Sequence, residues 1–217
     1  MSEPFGLPSL TGVVSLDSEN PIKHPTTLFT EFAERHSQRH GLSDELVRDA
    51  PKKEERVRNF AGDAFRHAFM TGLNALASYR QKQVRRDRSP SRYRRPIKQS
   101  PDIAKRFFEE GSRSALNAGY INERVRFNDG RYHLMDLWNN GAGVAAAWEY
   151  LRLHDFDASK MTNDGFAAFV AGKIKDRPEA FILEPKSDPR TSGPSPRFDK
   201  RLLPKDRWAI WDEVAKA

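Results

Sequence analysis

Two short stretches of the chain place acids, bases and amides among apolar residues. In the first, alanines and phenylalanines surround Asp63, Arg66 and His67. Residues three or four apart share a helix face, so Asp63 can contact both of the others. Burying a charge is costly unless that charge is paired. We therefore expect either a packing network or a catalytic site, and the residues leave both open.

The second stretch has the same character and follows about seventy residues later. It contains His133, Asp136, Asn139 and Asn140 among leucine, methionine and tryptophan. On a helix, Asp136 would share a face with the other three residues. Asparagine is a poor helix former, so the pair indicates buried hydrogen bonding or ligand recognition.

If the two stretches meet, they form one site between two helices. We predict that His67 is the general base and that Asp63, one turn away, sets its tautomer. Asp136 would set the tautomer of His133 in the same way, or would itself activate water. Such a site requires His67 and Asp136 to lie within about 12 Å, the reach of two side chains and one water.

Three further side chains would handle the substrate. Arg66 would hold an anionic group, while Asn139 and Asn140 would orient the molecule or stabilise developing negative charge. Together these assignments describe a hydrolase site centred on histidine and aspartate. The rival interpretation is a hydrogen-bond network that only cross-links buried helices.

Other chemistries lack their sequence signatures. The chain has no cysteine, which excludes a thiol nucleophile and a cysteine-ligated zinc. It contains no P-loop, Rossmann fingerprint or serine elbow. His67, His133, Asp63 and Asp136 could ligate a divalent metal, but they lack spacings such as H-E-x-x-H. The sequence therefore predicts no cofactor and keeps a divalent metal as the less favoured alternative.

The segment 80–98 is strongly cationic. It holds nine lysines and arginines against one aspartate, whereas the rest of the chain has 28 basic and 29 acidic residues. Arginine forks suit phosphates, and tyrosine can stack on a base. Such charge gives salt-dependent, sequence-blind binding, so nucleic acid, anionic lipid and no ligand all stay open. The candidate polyanion-binding residues are Arg85, Arg86, Arg88, Arg92, Tyr93, Arg94 and Arg95.

The elements that carry these residues are mainly helical. Apolar residues recur at the 3.6-residue period, and this spacing predicts helices near 26–40, 54–80, 102–118, 135–153 and 163–176. A shorter helix is expected from Ser43 to before Pro51. An Asn-Asp-Gly turn predicts one short β-hairpin over 123–133.

The fold predicted from these patterns is a helical globule with irregular ends. We expect an N-terminal arm over 1–25, a helical domain over 26–183 with the basic insert 80–98, and a proline-rich linker with a C-terminal amphipathic segment over 184–217. Because prolines at 90 and 96 break a helix, the insert should be a loop or hairpin-like excursion. Residues 1–20, 81–98 and 186–204 should be the least packed parts. No window approaches the ~20 apolar residues of a membrane helix, and the first residues do not match a Sec-type signal peptide.

The two polar stretches also carry a resemblance. DAFRHA at 63–68 and MDLWNN at 135–140 resemble the D/N-A-F-R-H-A and M-D-L-x-N-N motifs of an uncharacterised bacterial domain family. Members often lie at the C-termini of wall-associated or polymorphic-toxin-like proteins. The resemblance covers about residues 55–150. The family usually has His-Glu shortly before M-D-L, where this chain has Tyr132-His133. The resemblance implies an effector or toxin domain and names no reaction.

Three functions stay open. The first is a bacterial effector with a histidine- and aspartate-centred hydrolase site that acts on an anionic or cell-envelope substrate. It would occupy the bacterial cytoplasm until a Sec-independent system delivers it into target cells, and an immunity protein, chaperone or adaptor would be its partner. The second is a nucleic-acid-binding protein or nuclease that uses residues 80–98. The third is a non-catalytic helical interaction domain.

Overall fold

The computed structural model describes residues 25–43, 45–46, 57–88, 101–125 and 130–192. The predicted mainly helical fold is confirmed. In the described part of the chain, no helix is long and apolar enough to cross a membrane. The α-helices are α1 (Pro25–Arg39), α2 (Ala61–Arg88), α3 (Pro101–Val125), α4 (Gly130–Leu153) and α5 (Asn163–Asp176).

Helix α2 forms the centre of the core. It packs against α1, α3, α4 and α5. Its apolar residues recur at helical spacing, and Phe65, Phe69 and Leu73 are fully buried. The Phe69 ring stacks with the rings of Phe32 on α1 and Phe166 on α5. This face of α2 therefore packs against both α1 and α5.

Two glycines let α2 and α4 approach closely. A Cβ on Gly72 of α2 would lie 2.5 Å from the carbonyl oxygen of Gly143 on α4, and a Cβ on Gly143 would overlap the backbone of Ala68. The backbones of the two helices therefore touch at this crossing. The close contact brings the polar residues of α2 beside those of α4.

The start of α2 differs from the prediction. Val57–Asn59 forms a strand, β2, which pairs antiparallel with Glu45–Leu46, β1. The predicted helix over 54–80 is therefore wrong at 57–59, and the helix predicted from Ser43 is wrong at 45–46, while residue 44 and residues 47–56 lie outside the described residues. Backbone pairing between segments distant in sequence has overridden local helix propensity. Phe60 then donates its N–H to the carbonyl of Leu183, which ties the beginning of α2 to a later segment.

The hairpin predicted over 123–133 is wrong where the structure describes it. Residues 123–125 complete α3 and residues 130–133 begin α4, while 126–129 lie outside the described residues. The first turn of α4 is held by tertiary contacts, because the Tyr132 ring packs edge-on against Phe60 and Arg131 donates to the carbonyl of Lys186. Gly130, the described residue of the Asn-Asp-Gly motif, therefore begins a helix instead of a strand.

The basic insert begins as helix, contrary to the predicted loop. Residues 81–88 continue α2, and 89–98 lie outside the described residues. Lys82 forms an ion pair with Glu110 of α3, and the Arg86 guanidinium lies 6.0 Å from the centre of the Phe107 ring. These contacts with α3 favour helix at the start of the insert, before the prolines on which the predicted excursion depended.

The linker prediction fails for residues 184–192. Pro189–Thr191 forms a 3-10 turn, and Thr191 is buried. Arg190 stacks over Trp138 of α4, with 4.6 Å between the guanidinium carbon and the ring centre. Proline content indicated an extended chain here, but tertiary contacts pack it onto α4. The arm over 1–24 and residues 193–217 lie outside the described residues.

Candidate functional site

Asp63, His67 and Asp136 meet where α2 crosses α4. His67 Nε2 lies 3.2 Å from Asp136 Oδ1 and 3.9 Å from Asp63 Oδ1. This is well inside the distance of about 12 Å that a single site requires. Asp63 and His67 stand one turn apart on α2, while Asp136 comes from α4. The group therefore assembles only when the two helices pack.

Asn140 and Thr71 orient the His67 ring. The Thr71 hydroxyl donates to Asn140 Oδ1 at 2.7 Å, and His67 Nδ1 lies 3.3 Å from the same oxygen. An amide oxygen can only accept, so Nδ1 is the donor in this contact and carries a hydrogen. Asn140 thus contacts one ring nitrogen and Asp63 lies 3.9 Å from the other, so the role of Asp63 in setting the tautomer stays a prediction. Asn140 Nδ2 is buried without a hydrogen-bond partner among the described residues, which is typical of a site that holds ligand or water.

The site is graded from buried to accessible. The side chain of Asp136 is 4% exposed, that of His67 is 14% exposed and that of Asp63 is 22% exposed. Arg66, with 25% of its side chain exposed, donates to Asp63 Oδ1 at 2.7 Å on the outer side. His67 therefore keeps some exposure, whereas a purely structural network could be fully sealed inside the core. The more exposed side chains of the group, Asp63 and Arg66, lie on its outer side.

Asn139 lies apart from this group. Its Nδ2 donates to the carbonyl of Ile182 at 3.0 Å, and its Oδ1 accepts from the N–H of Ile182 at 2.9 Å. The fully buried amide thus pairs with a backbone as a neighbouring strand would. Both polar atoms of the side chain hold the segment after α5 onto α4, which is a structural role, and its role in binding substrate stays a prediction.

His133 is placed one turn before Asp136 on α4 and is fully buried. It does not belong to the group of converging ligand atoms formed by Asp63, His67 and Asp136. Burial of the whole ring argues against the predicted second base, since no substrate can reach it. Its role as a base stays a prediction.

One member of the site was missed by the sequence reasoning. Thr71 follows His67 by four residues, as His67 follows Asp63, so the three side chains share one face of α2. That spacing was a usable signal. Thr71 carries no charge, so a criterion based on charged residues within apolar helices does not select it.

The candidate polyanion surface is described only in part. Arg85 is exposed, and Arg86 packs along Phe107 of α3. The side chain of Arg88 and all of residues 92–95 lie outside the described residues. Binding of nucleic acid or lipid by this surface stays a prediction.

Comparisons with protein families, with characterised proteins and with solved structures find no match to this chain. The resemblance to the bacterial domain family therefore stays a prediction. The interpretation of the site depends on its own geometry.

Proposed function

We propose that this protein is a hydrolase whose active site is formed by Asp63, His67 and Asp136. The supporting observation is the convergence of one imidazole nitrogen and two carboxylates at a partly exposed helix crossing. A cluster of titratable groups at a partly exposed position is a candidate functional site. The proposal builds on the predicted histidine base and assigns new roles to its neighbours.

In this mechanism His67 is the general base. Asn140 holds Nδ1, so Nε2 is the nitrogen directed at the reacting groups. A water molecule that bridges Nε2 and Asp63 Oδ1, which are 3.9 Å apart, would lose its proton to His67 as it attacks the substrate. Asp136 lies on the buried side, 3.2 Å from the same nitrogen, and its negative charge would stabilise the resulting imidazolium.

Arg66 gives the site its preference for substrates that carry negative charge. Its guanidinium lies at the accessible edge and is anchored by Asp63. Arginine binds carboxylate and phosphate oxygens through paired N–H groups. The same group could stabilise negative charge that develops on the substrate in the transition state. We therefore propose that the substrate is anionic or part of the cell envelope. The protein would be an effector that is delivered to other bacteria.

The test combines toxicity with hydrolysis. The full chain is expressed in a bacterial host, with and without export to the periplasm, and the purified protein is incubated with envelope polymers, phosphodiesters and esters. We expect growth arrest and release of a hydrolysis product, both lost in His67→Gln. The control is His40→Gln, which changes a histidine outside the site. Equal toxicity and turnover in wild type and His67→Gln would refute the proposal, as would a folded protein inactive on every substrate class.

A further inference from the structure

We propose that Asp63, His67 and Asp136 bind a divalent transition-metal cation, Zn²⁺ or Mn²⁺, which activates the attacking water. The assignment of the water rests on the proposed hydrolase function, whereas cation binding can be measured without it. In this arrangement the metal takes the place between Nε2 and the carboxylates, and His67 acts as a ligand instead of a base.

The separations of the ligand atoms fit such a cation. Bonds from zinc to nitrogen and oxygen are about 2.0–2.2 Å long, so two donors on one metal lie about 3 to 4.3 Å apart. The two measured separations from His67 Nε2, 3.2 Å to Asp136 and 3.9 Å to Asp63, fall in this range. All the candidate ligand atoms lie within 4.8 Å of one another. Closing the site around a metal needs a shift of about half an ångström at most.

The hydrogen bonds behind His67 are those of a metal ligand. A ligating histidine donates its second ring N–H to an oxygen that fixes the tautomer and ring orientation. Asn140 Oδ1 accepts from Nδ1 in this way, and the Thr71 hydroxyl holds that oxygen in place. In the neutral ring this directs the Nε2 lone pair at the two carboxylates.

The charge balance also favours a cation at this point. Two carboxylates and the Arg66 guanidinium sum to a formal charge of −1 when His67 is neutral. Either a proton on Nε2 or a divalent metal would compensate that charge. Because Asp136 is almost completely buried, a positive charge beside it is favoured. The proton is the rival occupant, and the experiment has to separate it from the metal.

The identity of the metal follows from the donor set. One imidazole and two carboxylates suit Zn²⁺, Mn²⁺ and related ions, whereas Ca²⁺ takes six to eight oxygen ligands. Three protein ligands leave coordination positions open, as in catalytic sites. These positions would face the accessible side, where Asp63 and His67 retain exposure. A metal there would lower the pKa of its bound water.

The experiment measures binding directly. The full chain is treated with EDTA, dialysed into metal-free buffer, and titrated with Mn²⁺ by electron paramagnetic resonance and with Zn²⁺ by calorimetry. We expect one ion per chain, at least tenfold weaker binding in Asp136→Asn and His67→Gln, and unchanged binding in Asp176→Asn, a change of the same kind at an exposed position. Ca²⁺ should not compete. Absence of binding, or equal affinity in Asp136→Asn and wild type, would overturn the inference and leave the proton as occupant.

Two further variants cover the risk that Asp136→Asn fails to fold. Asp63→Asn changes the more exposed carboxylate and should weaken Mn²⁺ binding by a similar factor. Thr71→Val removes the hydroxyl that holds Asn140, and loss of such an indirect contact is expected to weaken metal binding about 10–100-fold. Folding of each variant is checked by circular dichroism. Wild-type Mn²⁺ affinity in a folded Asp63→Asn would also overturn the inference.

The outcomes separate this inference from the proposed function. Hydrolysis that is lost in His67→Gln but resists EDTA would remove the metal and keep the hydrolase. Binding of one Zn²⁺ or Mn²⁺ by a protein that hydrolyses nothing would keep the metal site and remove the hydrolase. Hydrolysis abolished by EDTA and restored by Mn²⁺ would support both the metal site and the hydrolase, with His67 as a metal ligand in place of the general base.

Discussion

Two faces of α4 bear similar polar residues but use them differently. On one face, Asp136 and Asn140 meet His67 of α2 in a partly exposed group of charges. On the other face, Asn139 pairs with the backbone of Ile182 deep in the structure. Neighbouring asparagines thus serve a candidate active site and a structural contact. Residue type and burial alone do not distinguish the two, because the difference lies in the partner.

The structural face continues into the segment after α5. Arg190 donates to the carbonyl of Phe181 at 2.7 Å, forms an ion pair with Asp188 at 2.6 Å, and stacks on Trp138. The indole N–H of Trp138 in turn donates to the carbonyl of Ala180. Each of these polar groups is matched by a backbone or an opposite charge. On the face toward α2, by contrast, His67 Nε2 and the carboxylates of Asp63 and Asp136 converge at a partly exposed position.

The largest effect should come from breaking the group at its centre. His67→Gln removes the group that faces both carboxylates and keeps a similar volume, so we expect activity to fall by about 10²–10⁴-fold. The free energy of unfolding should change by less than the ~2–5 kcal/mol of a core cavity. Initial rates and urea melts of both proteins test this. Loss of folding together with activity would instead make the site structural, like the opposite face.

The helix crossing should be the next most sensitive feature. Gly143→Ala places a methyl group against the backbone of Ala68, and we expect a loss of stability of about 1–3 kcal/mol as α2 and α4 separate. Gly172→Ala is the matched control, because its Cβ would meet nothing within 4 Å and should stabilise α5 by about 0.5–1 kcal/mol. Urea melts distinguish the two signs. A neutral Gly143→Ala would contradict the close crossing.

The paired asparagines allow the comparison to be sharpened directly. Asn139→Ala leaves the buried N–H and carbonyl of Ile182 without their partner, so we expect a loss of about 1–3 kcal/mol with activity retained in the folded protein. Asn140→Ala releases the His67 ring and should chiefly lower activity. Both variants are measured for stability and rate. If Asn139→Ala and Asn140→Ala lost stability and activity in the same proportion, the distinction between the two faces would be removed.

The smallest expected effect is a pH-dependent change in stability at the structural face. A hydrogen bond from Arg190 is the main cause that holds the pKa of Asp188 below its ordinary value of 3.8. Since the folded pKa is the lower one, the stabilisation is present above about pH 4 and is lost as the pH falls through the folded value. Asp188→Asn should therefore cost about 0.5–1 kcal/mol at pH 6, and this difference should shrink toward pH 3. Urea melts of both proteins across that range test it, and a constant difference would contradict the ion pair.

Local patterns determined most of the helical architecture. The periodic apolar residues of α2, α4 and α5 correctly predicted three helices, because burial of one face depends mainly on spacing along the chain. The same pattern singled out His67 and Asp136, since charges on apolar faces are costly and have to meet partners. Both inferences use only neighbours in sequence, which is why they needed no knowledge of the other helices.

The sequence by itself thus determined the helices and the residues that had to find partners. Only the tertiary structure decided which partners they found. Asn139 and Asn140 are adjacent in the chain, yet one pairs with Ile182 and the other with Thr71 and His67. The choice depends on the rotation and spacing of α4 against its neighbours, and contact across the two glycines sets that spacing on the side of α2. No local pattern carries this information, because it arises from packing between segments far apart in sequence.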